Sequence, residues 1–372
     1  MKTLILSCNT GEGHNSCAKA IKEYFELNGE PCDIADSLAF ASKKMSQFIS
    51  GWHVRLYRHL PAAFGMGYGF MERHPSYLEE GSAAYRLLTI GTDRLYQFIV
   101  ANGYDTVICT HVFAALLVTE MKEKYPCKIK TALVHTDYTC FPGTAASDMD
   151  VYFIPHTSLI PLFVGVGISR EKLIPAGIPV RQAFFAALPK EEAKRSLGVD
   201  PNRNHVVIMS GSMGCGPIEE TAEILAEMLG DENEITLVCG TNHRAKERVE
   251  KSIGDRENVH ILGYFKDISR LLDSADLVFT KPGGISTSEI AKKALPMVLI
   301  QAVEGCETHN YRFFTNQGVA LLSHDPQELA EMGAGLLKAK GKLEEMAAFY
   351  TEELRCNGAE IVFKKIKELS AK

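Results

Sequence analysis

Between Asp276 and Asn310 the chain reads DLVFTKPGGISTSEIAKKALPMVLIQAVEGCETHN. Two short apolar runs, LVFT and MVLI, flank a Pro-Gly-Gly turn and a stretch with helical spacing. Apolar runs on either side of a helix fit parallel strands buried on both faces and joined by a crossover. Ser286 and Thr287 open the predicted helix, and Glu289 follows Ser286 at the spacing of a capping box, which places it in the first turn. A Gly-Gly turn running into a helix leaves backbone N–H groups bare at a positive dipole end, a good seat for phosphate or ribose oxygens.

The same rhythm fills most of the 372 residues. Strands are predicted at 3–8, 106–110, 130–136, 151–155, 205–211, 234–240, 259–264, 276–280 and 297–301. Helices are predicted at 14–28, 112–124, 217–229, 242–253, 286–294 and 326–338. Such alternation makes an α/β protein with helices on both faces of parallel sheets. The length favours two domains. A strand-like KLIP, the segment AGIPVRQAFF and the charged PKEEAKRSLG mark the joint. The expected division is 1–178, 179–350, and a C-terminal helix over 351–372 that packs back on the first domain. Two doubly wound sheets would bind ligands at the carboxyl ends of their strands, facing a cleft.

Composition excludes some classes. A net charge of −6 gives no footprint for nucleic acid. Ten cysteines without a CxxC pair argue against zinc or a disulfide framework and fit reduced thiols in a cytosol. The opening MKTLILSC is too short and too poorly flanked for a signal peptide, and reads as a first strand. No window of about 18 apolar residues suggests a spanning helix.

Three glycine-bearing turns carry chemistry. In SCNTGEGHNSCAKAI, Gly11 and Gly13 follow a strand and His14 starts a helix. His14 is either a base for a hydroxyl proton or a helix-capping residue. In MSGSMGCGPIEE, Gly211, Ser212, Gly214 and Gly216 precede Pro217, with no lysine of a Walker A loop. That loop cradles a diphosphate or simply connects strand to helix. In the third turn Glu289 either holds both ribose hydroxyls or completes the capping box. Glu307 and Asn310 in GCETHN bind sugar hydroxyls or begin a solvated helix. LVHTDYTCFPG sets His135 and Asp137 at a strand end, where Asp137 acts as base, orients His14, or caps a turn.

Residues 38–75 break the rhythm. Phe48, Trp52 and two tyrosines mix with Lys43, Lys44, Arg55 and Arg58. Aromatics beside cations suit a bilayer interface, and equally an amphipathic helix packed on its own domain or on a second subunit.

The order and spacing of NTGEGHNSCAKAI, TDY at 136–138, KLIPAGIPVRQAF, the 209–216 loop, LGYFKDISRLLDSADLVFTKPGG and STSEIAKKALPMVLI mark a family. Over nearly its whole length the chain resembles the monogalactosyldiacylglycerol synthase and processive diacylglycerol glucosyltransferase family. More distantly it resembles the lipid-II-forming N-acetylglucosaminyltransferase. The resemblance implies a GT-B fold of two Rossmann-like domains facing a cleft. It implies a UDP-sugar donor, a lipid acceptor such as diacylglycerol, no cofactor and no metal. It further implies inversion to a β-glycoside and peripheral attachment to the inner face of the cell membrane. By motif, His14 is the base, with Asp137 its rival or helper. Ser212, Met213 and Gly214 face the diphosphate with Gly211, and Gly13 lies on the donor side. Phe265 holds uracil, Gly283, Gly284 and Thr287 line the phosphates, Glu289 takes the ribose, and Glu307 and Asn310 contact the sugar. Phe48, Trp52, Arg55 and Arg58 fall on the membrane and acceptor side. Three departures stand out, the first being that the histidine and tryptophan usual after the family's Thr-Asp-Phe are absent from Thr136-Asp137-Tyr138-Thr139-Cys140-Phe141-Pro142. The family's Gly-Gly-Gly-His-Arg turn is Gly11-Glu12-Gly13-His14-Asn15, and its Gly-Gln-Glu is Gly305-Cys306-Glu307. A UDP-N-acetylglucosamine 2-epimerase and a non-catalytic UDP-sugar sensor are the competing readings.

Overall fold

The computed structural model describes residues 1–371 other than 10, 43, 45, 50, 53, 54, 56–59, 210, 212–216, 301–304 and 340. The chain divides into two compact units. The first comprises Met1–Gln182, Val303–Cys306 and Cys356–Lys372, and the second Ala183–Ala302 and Glu307–Arg355.

The first unit holds a six-stranded parallel sheet in the order β2-β1-β3-β4-β5-β6. Its strands are β1 (Thr3–Ser7), β2 (Cys32–Asp36), β3 (Thr106–Cys109), β4 (Lys130–Val134), β5 (Val151–Ile154) and β6 (Leu173–Pro175). Every residue of β1 and β3 is buried, which explains their apolar cores, Leu4–Leu6 and Val107–Cys109. Helix α1 (Glu12–Leu27) turns Cys17, Ala18, Ile21 and Phe25 inward at helical spacing. Helix α2 (Pro61–Arg73) lies in the aromatic segment, and α3 (Val112–Lys124) follows β3.

The second unit holds another six-stranded parallel sheet, ordered β12-β11-β10-β7-β8-β9. Its strands are β7 (Asn204–Met209), β8 (Asn233–Val238), β9 (Val259–Leu262), β10 (Leu277–Thr280), β11 (Met297–Ile300) and β12 (Ala320–Ser323). Helices α4 (Ile218–Leu229), α5 (His243–Ile253), α6 (Gly284–Lys292), α7 (Cys306–Asn316) and α8 (Pro326–Lys338) alternate with them. Leu277 and Phe279 of β10 join Val206 and Ile208 of β7 in a core closed by α4, α5 and α8.

The final helix, α9 (Gly358–Ser370), belongs to the first unit. Phe363 packs on Phe25 of α1 with ring centroids 5.1 Å apart. A side chain at Gly358 would meet the Ala176 carbonyl oxygen at 2.8 Å, so glycine admits the helix start against the GIP segment.

The capping box expected at Ser286 does not form. Helix α6 begins two residues earlier, with Gly283 as N-cap and no side-chain cap. Thr287 and Ser288 instead donate back to the carbonyls of Gly283 and Gly284, at 2.9 and 2.7 Å. Glu289 therefore lies in the second turn, half-buried, and not in the first.

Candidate active site

In each sheet the chain reverses its direction of winding between two neighbouring strands, β1 and β3 in the first, β7 and β10 in the second. Loops leaving the carboxyl ends of such strands diverge and open a ligand crevice. His14 follows β1, and the turns at Gly211 and Gly283 follow β7 and β10, whereas Asp137 follows β4, Phe265 follows β9, and Glu307 and Asn310 follow β11.

In the first unit, Leu6 pairs with Cys109, so β1 and β3 end level. His14 sits in the first turn of α1, after β1. Its Nδ1 lies 2.9 Å from the Thr110 carbonyl oxygen and 2.9 Å from Thr136 Oγ1. A carbonyl oxygen can only accept, so Nδ1 carries the hydrogen and the ring's lone pair is on Nε2. The ring is held across the sheet and does not cap its own helix, whose N-cap is Gly11 without a side-chain bond. The His111 ring stands edge-on to His14 at 4.5 Å. His111 Nδ1 accepts from the Phe113 N–H at 3.0 Å, capping α3 and placing its own hydrogen on Nε2.

A cavity of about 30 Å³ is lined by His14, Thr110, His111, His135, Thr136 and Asp137, among others. That is room for about one water or one hydroxyl group. His135 is buried against the Phe163 ring at 4.7 Å. Burial pushes its pKa down to about 3, so it stays neutral. Its Nε2 finds no hydrogen-bond partner among the described residues. Asp137 is half-buried on the same wall, and its carbonyl accepts from the Thr139 N–H at 2.8 Å.

Asn15, at the place of the family's arginine, belongs to a polar chain that the sequence did not reveal. Ser7 Oγ donates to Asn15 Oδ1 at 2.7 Å, and Asn15 Nδ2 donates to Asn9 Oδ1 at 3.0 Å. Asn9 continues to Asp36 at 3.0 Å, and Asp36 also accepts from Ser46. The start of α1 is thus tied to the end of β2 and the start of the aromatic segment.

In the second unit, Thr280 pairs with Met209, so the turns at Gly211 and Lys281–Gly284 leave the sheet at one level. Gly211 has a φ of +70°, the left-handed region that favours glycine. Ser212, Met213 and Gly214 lie outside the described residues. Among the described residues, a side chain built on Gly283 would meet nothing within 4 Å. Gly284 is buried in the first turn, and the Thr287 hydroxyl is spent on its own helix. Asn310 is fully buried and donates to the Pro282 carbonyl at 2.9 Å, fixing the turn that Gly283 ends. Glu307 stands in the first turn of α7. Phe265 is half-buried beyond β9. Lys281, which local spacing does not distinguish from the rest of the turn, is a buried cation (9 % exposed) at the carboxyl end of β10. Among the described residues, no three His, Cys, Asp or Glu side chains converge as a metal site requires.

Phe48 and Trp52 are 64 % and 55 % exposed, their ring centroids 6.2 Å apart. Arg55 is exposed beside them in sequence, and Arg58 lies outside the described residues. Among the described residues, no helix is long and apolar enough to cross a membrane.

Two family models match, one to each sheet. Monogalactosyldiacylglycerol (MGDG) synthase covers residues 14–180, and the glycosyltransferase family 28 C-terminal domain covers 205–357. The chain carries an MGDG synthase domain followed by a glycosyltransferase family 28 C-terminal domain. The first match begins at His14 itself and takes in every residue lining the cavity. A processive diacylglycerol beta-glucosyltransferase of Bacillus pumilus is 28 % identical over 354 residues, 93 % of this chain and 89 % of the relative. Among solved structures, MurG of Acinetobacter baumannii superposes with a TM-score of 0.66 at 14 % identity, covering 99 % of this chain and all of that one. The UDP-GlcNAc 2-epimerase of Neisseria meningitidis, bound to UDP-GlcNAc, does so with 0.61 at 12 % identity, covering 99 % and 100 %. These likenesses establish the GT-B fold, which transferases and epimerases share. The matches of both halves to transferase families make this chain a hexosyltransferase.

Proposed function

We propose that the chain moves a hexose from a UDP-sugar to the hydroxyl of a lipid acceptor, diacylglycerol or a close relative, with inversion and without a metal ion. His14 Nε2 takes the acceptor proton. The freed oxygen forms its bond to the anomeric carbon as the bond from that carbon to the diphosphate breaks, and the electron pair leaves with UDP. The observation that carries this reading is the His14 ring, fixed through Nδ1 by Thr110 and Thr136 in a cavity the size of one hydroxyl. Asp137 shares the cavity and is the helper in this scheme. The N-terminus of α6, the Gly211 loop and Lys281 supply positive potential where the leaving diphosphate would gain charge. Glu289 takes the ribose, Phe265 the uracil, and Glu307 the sugar, with Asn310 holding the turn between them. The diacylglycerol glucosyltransferase relatives support the lipid acceptor, and the epimerase's bound UDP-GlcNAc supports the UDP-sugar donor.

In this reading the protein works as a peripheral enzyme on the inner membrane face. Exposed Phe48 and Trp52 support it, as do Met66 and Phe70 of α2. The deciding experiment is UDP release by purified protein with UDP-glucose, UDP-galactose or UDP-N-acetylglucosamine, each with and without diacylglycerol vesicles. Release needing one donor and the lipid supports the proposal and names the sugar. Turnover of UDP-N-acetylglucosamine without lipid would favour epimerisation instead.

A further inference from the structure

Helix α2 has two unlike sides. Met66 and Phe70, one turn apart, are 71 % and 41 % exposed. Tyr68 stands about 200° around the helix from each, and it is buried, at 3 % exposure. Its ring meets Phe141 edge-on at 5.6 Å. Phe141 lines the His14 cavity, with its ring 6.0 Å from His111. A row of rings thus runs from His14 through His111 and Phe141 to Tyr68.

The Tyr68 ring also lies against Gly305. A methyl group at Gly305 would come within 2.9 Å of Tyr68 Cγ and 3.1 Å of Cδ1. Gly305 also has a φ of +119°, which L side chains rarely adopt. Burial, chiefly, pushes the Tyr68 phenol far above its ordinary range, and nearby Cys306, Glu72 and Asp137 add to this. The group is a neutral hydroxyl at any working pH. One side chain therefore touches the wall of the base's cavity and the backbone just ahead of Glu307.

We propose that Tyr68 is a positioning residue for the transfer, locking the Gly305–Cys306 backbone to the aromatic wall of the His14 cavity. This rests on the transferase reading above. The glycine at 305 and the tyrosine at 68 are then one device, since the ring fills the space a side chain on 305 would take.

The test is a double-mutant cycle on the full chain, with Tyr68→Leu, Gly305→Ala and the pair. Lipid-dependent UDP release, UDP affinity by calorimetry and thermal melting would be measured for each. Tyr68→Leu is expected to lower kcat about tenfold or more through misplacement alone, with UDP affinity unchanged. Tyr68→Phe keeps the ring and should keep most of kcat. Gly305→Ala should also be slow, and the double variant no slower than the slower single one. Losses that simply multiply would show two independent sites and overturn the lock, as would full kcat in Tyr68→Leu. If Tyr68→Leu fails to fold, Tyr68→Met takes its place in the cycle. Wild-type protein without lipid-dependent UDP release would instead overturn the transferase reading.

Discussion

His14 Nδ1 lies 2.9 Å from the Thr110 carbonyl oxygen, and this pair sets the tautomer of the ring. Had Nδ1 faced only hydroxyl groups, either nitrogen could have carried the proton. With a carbonyl opposite, Nε2 is the basic atom in the neutral ring. His14→Gln should therefore lose about 10²–10⁴-fold in kcat, the usual worth of a general base. UDP affinity should persist, because the residues proposed to hold the nucleotide lie on the other sheet. A variant with normal turnover would remove His14 from the chemistry.

Thr136 makes the second contact on Nδ1. Thr136→Val keeps the shape and removes the hydroxyl. Loss of one hydrogen bond costs about 1 kcal/mol, or roughly fivefold in kcat if the bond steadies the ring. The melting midpoint should move little. A kcat loss as large as that of His14→Gln would mean that Thr136 itself handles a proton.

Glu289 and Asn310 should separate in their effects. Glu289→Ala removes a charge-assisted partner and should weaken UDP binding by about 1–3 kcal/mol, with stability near wild type. Asn310→Ala leaves the Pro282 carbonyl buried without its donor, so it should lower both stability and UDP affinity. Calorimetry with UDP beside thermal melts would check both. Unchanged UDP affinity in Glu289→Ala would remove it from the donor site.

What the sequence made legible follows from burial. Strands β1, β10 and β11 are buried throughout, so their apolar runs stand out. Strands β2 and β12 were missed because each is a sheet edge with exposed positions, and CDIAD and ALLS lack a sustained run. The apolar pattern carried β3 and β4 too far, absorbing Thr110, His135 and Thr136. Those are the loop residues that line the cavity. His14 was visible as a histidine after a glycine turn. Its partners lie 96 and 122 residues away and depend on the pairing of β1, β3 and β4, which local spacing does not encode. The start of α6 was misplaced because Ser286 and Thr287 look like caps. The N-cap is Gly283, and the Thr287 hydroxyl bonds back to its carbonyl.

Replacing Phe48 and Trp52 together by serine should abolish or greatly weaken vesicle binding. Burying one large apolar side chain is worth about 1.5–3 kcal/mol, and both rings are more than half exposed in the protein alone. Co-sedimentation with diacylglycerol vesicles would measure the loss. Equal sedimentation of variant and wild type would assign the exposed rings to another partner.

Acid should destabilise the fold before it titrates the bulk of the carboxylates. His205 is fully buried in β7, with Nδ1 2.9 Å from Ser274 Oγ and Nε2 2.7 Å from Thr236 Oγ1. Burial, and then the Lys194 charge, lower its pKa to about 4, while burial alone lowers that of His135 to about 3. In the unfolded chain both titrate near 6.5. Above that pH neither state binds the proton and nothing is lost. As pH falls below about 6.5, the unfolded chain takes up protons that the folded one refuses, so stability declines. The loss from His205 runs down to about pH 4, where the folded protein begins to accept the proton, and totals on the order of 3 kcal/mol. Urea midpoints should hold steady from pH 8 to 7 and fall clearly between 6.5 and 4.5. His135→Leu should flatten part of that slope. A midpoint unchanged between pH 7 and 5 would mean that both rings accept protons without cost in the folded state.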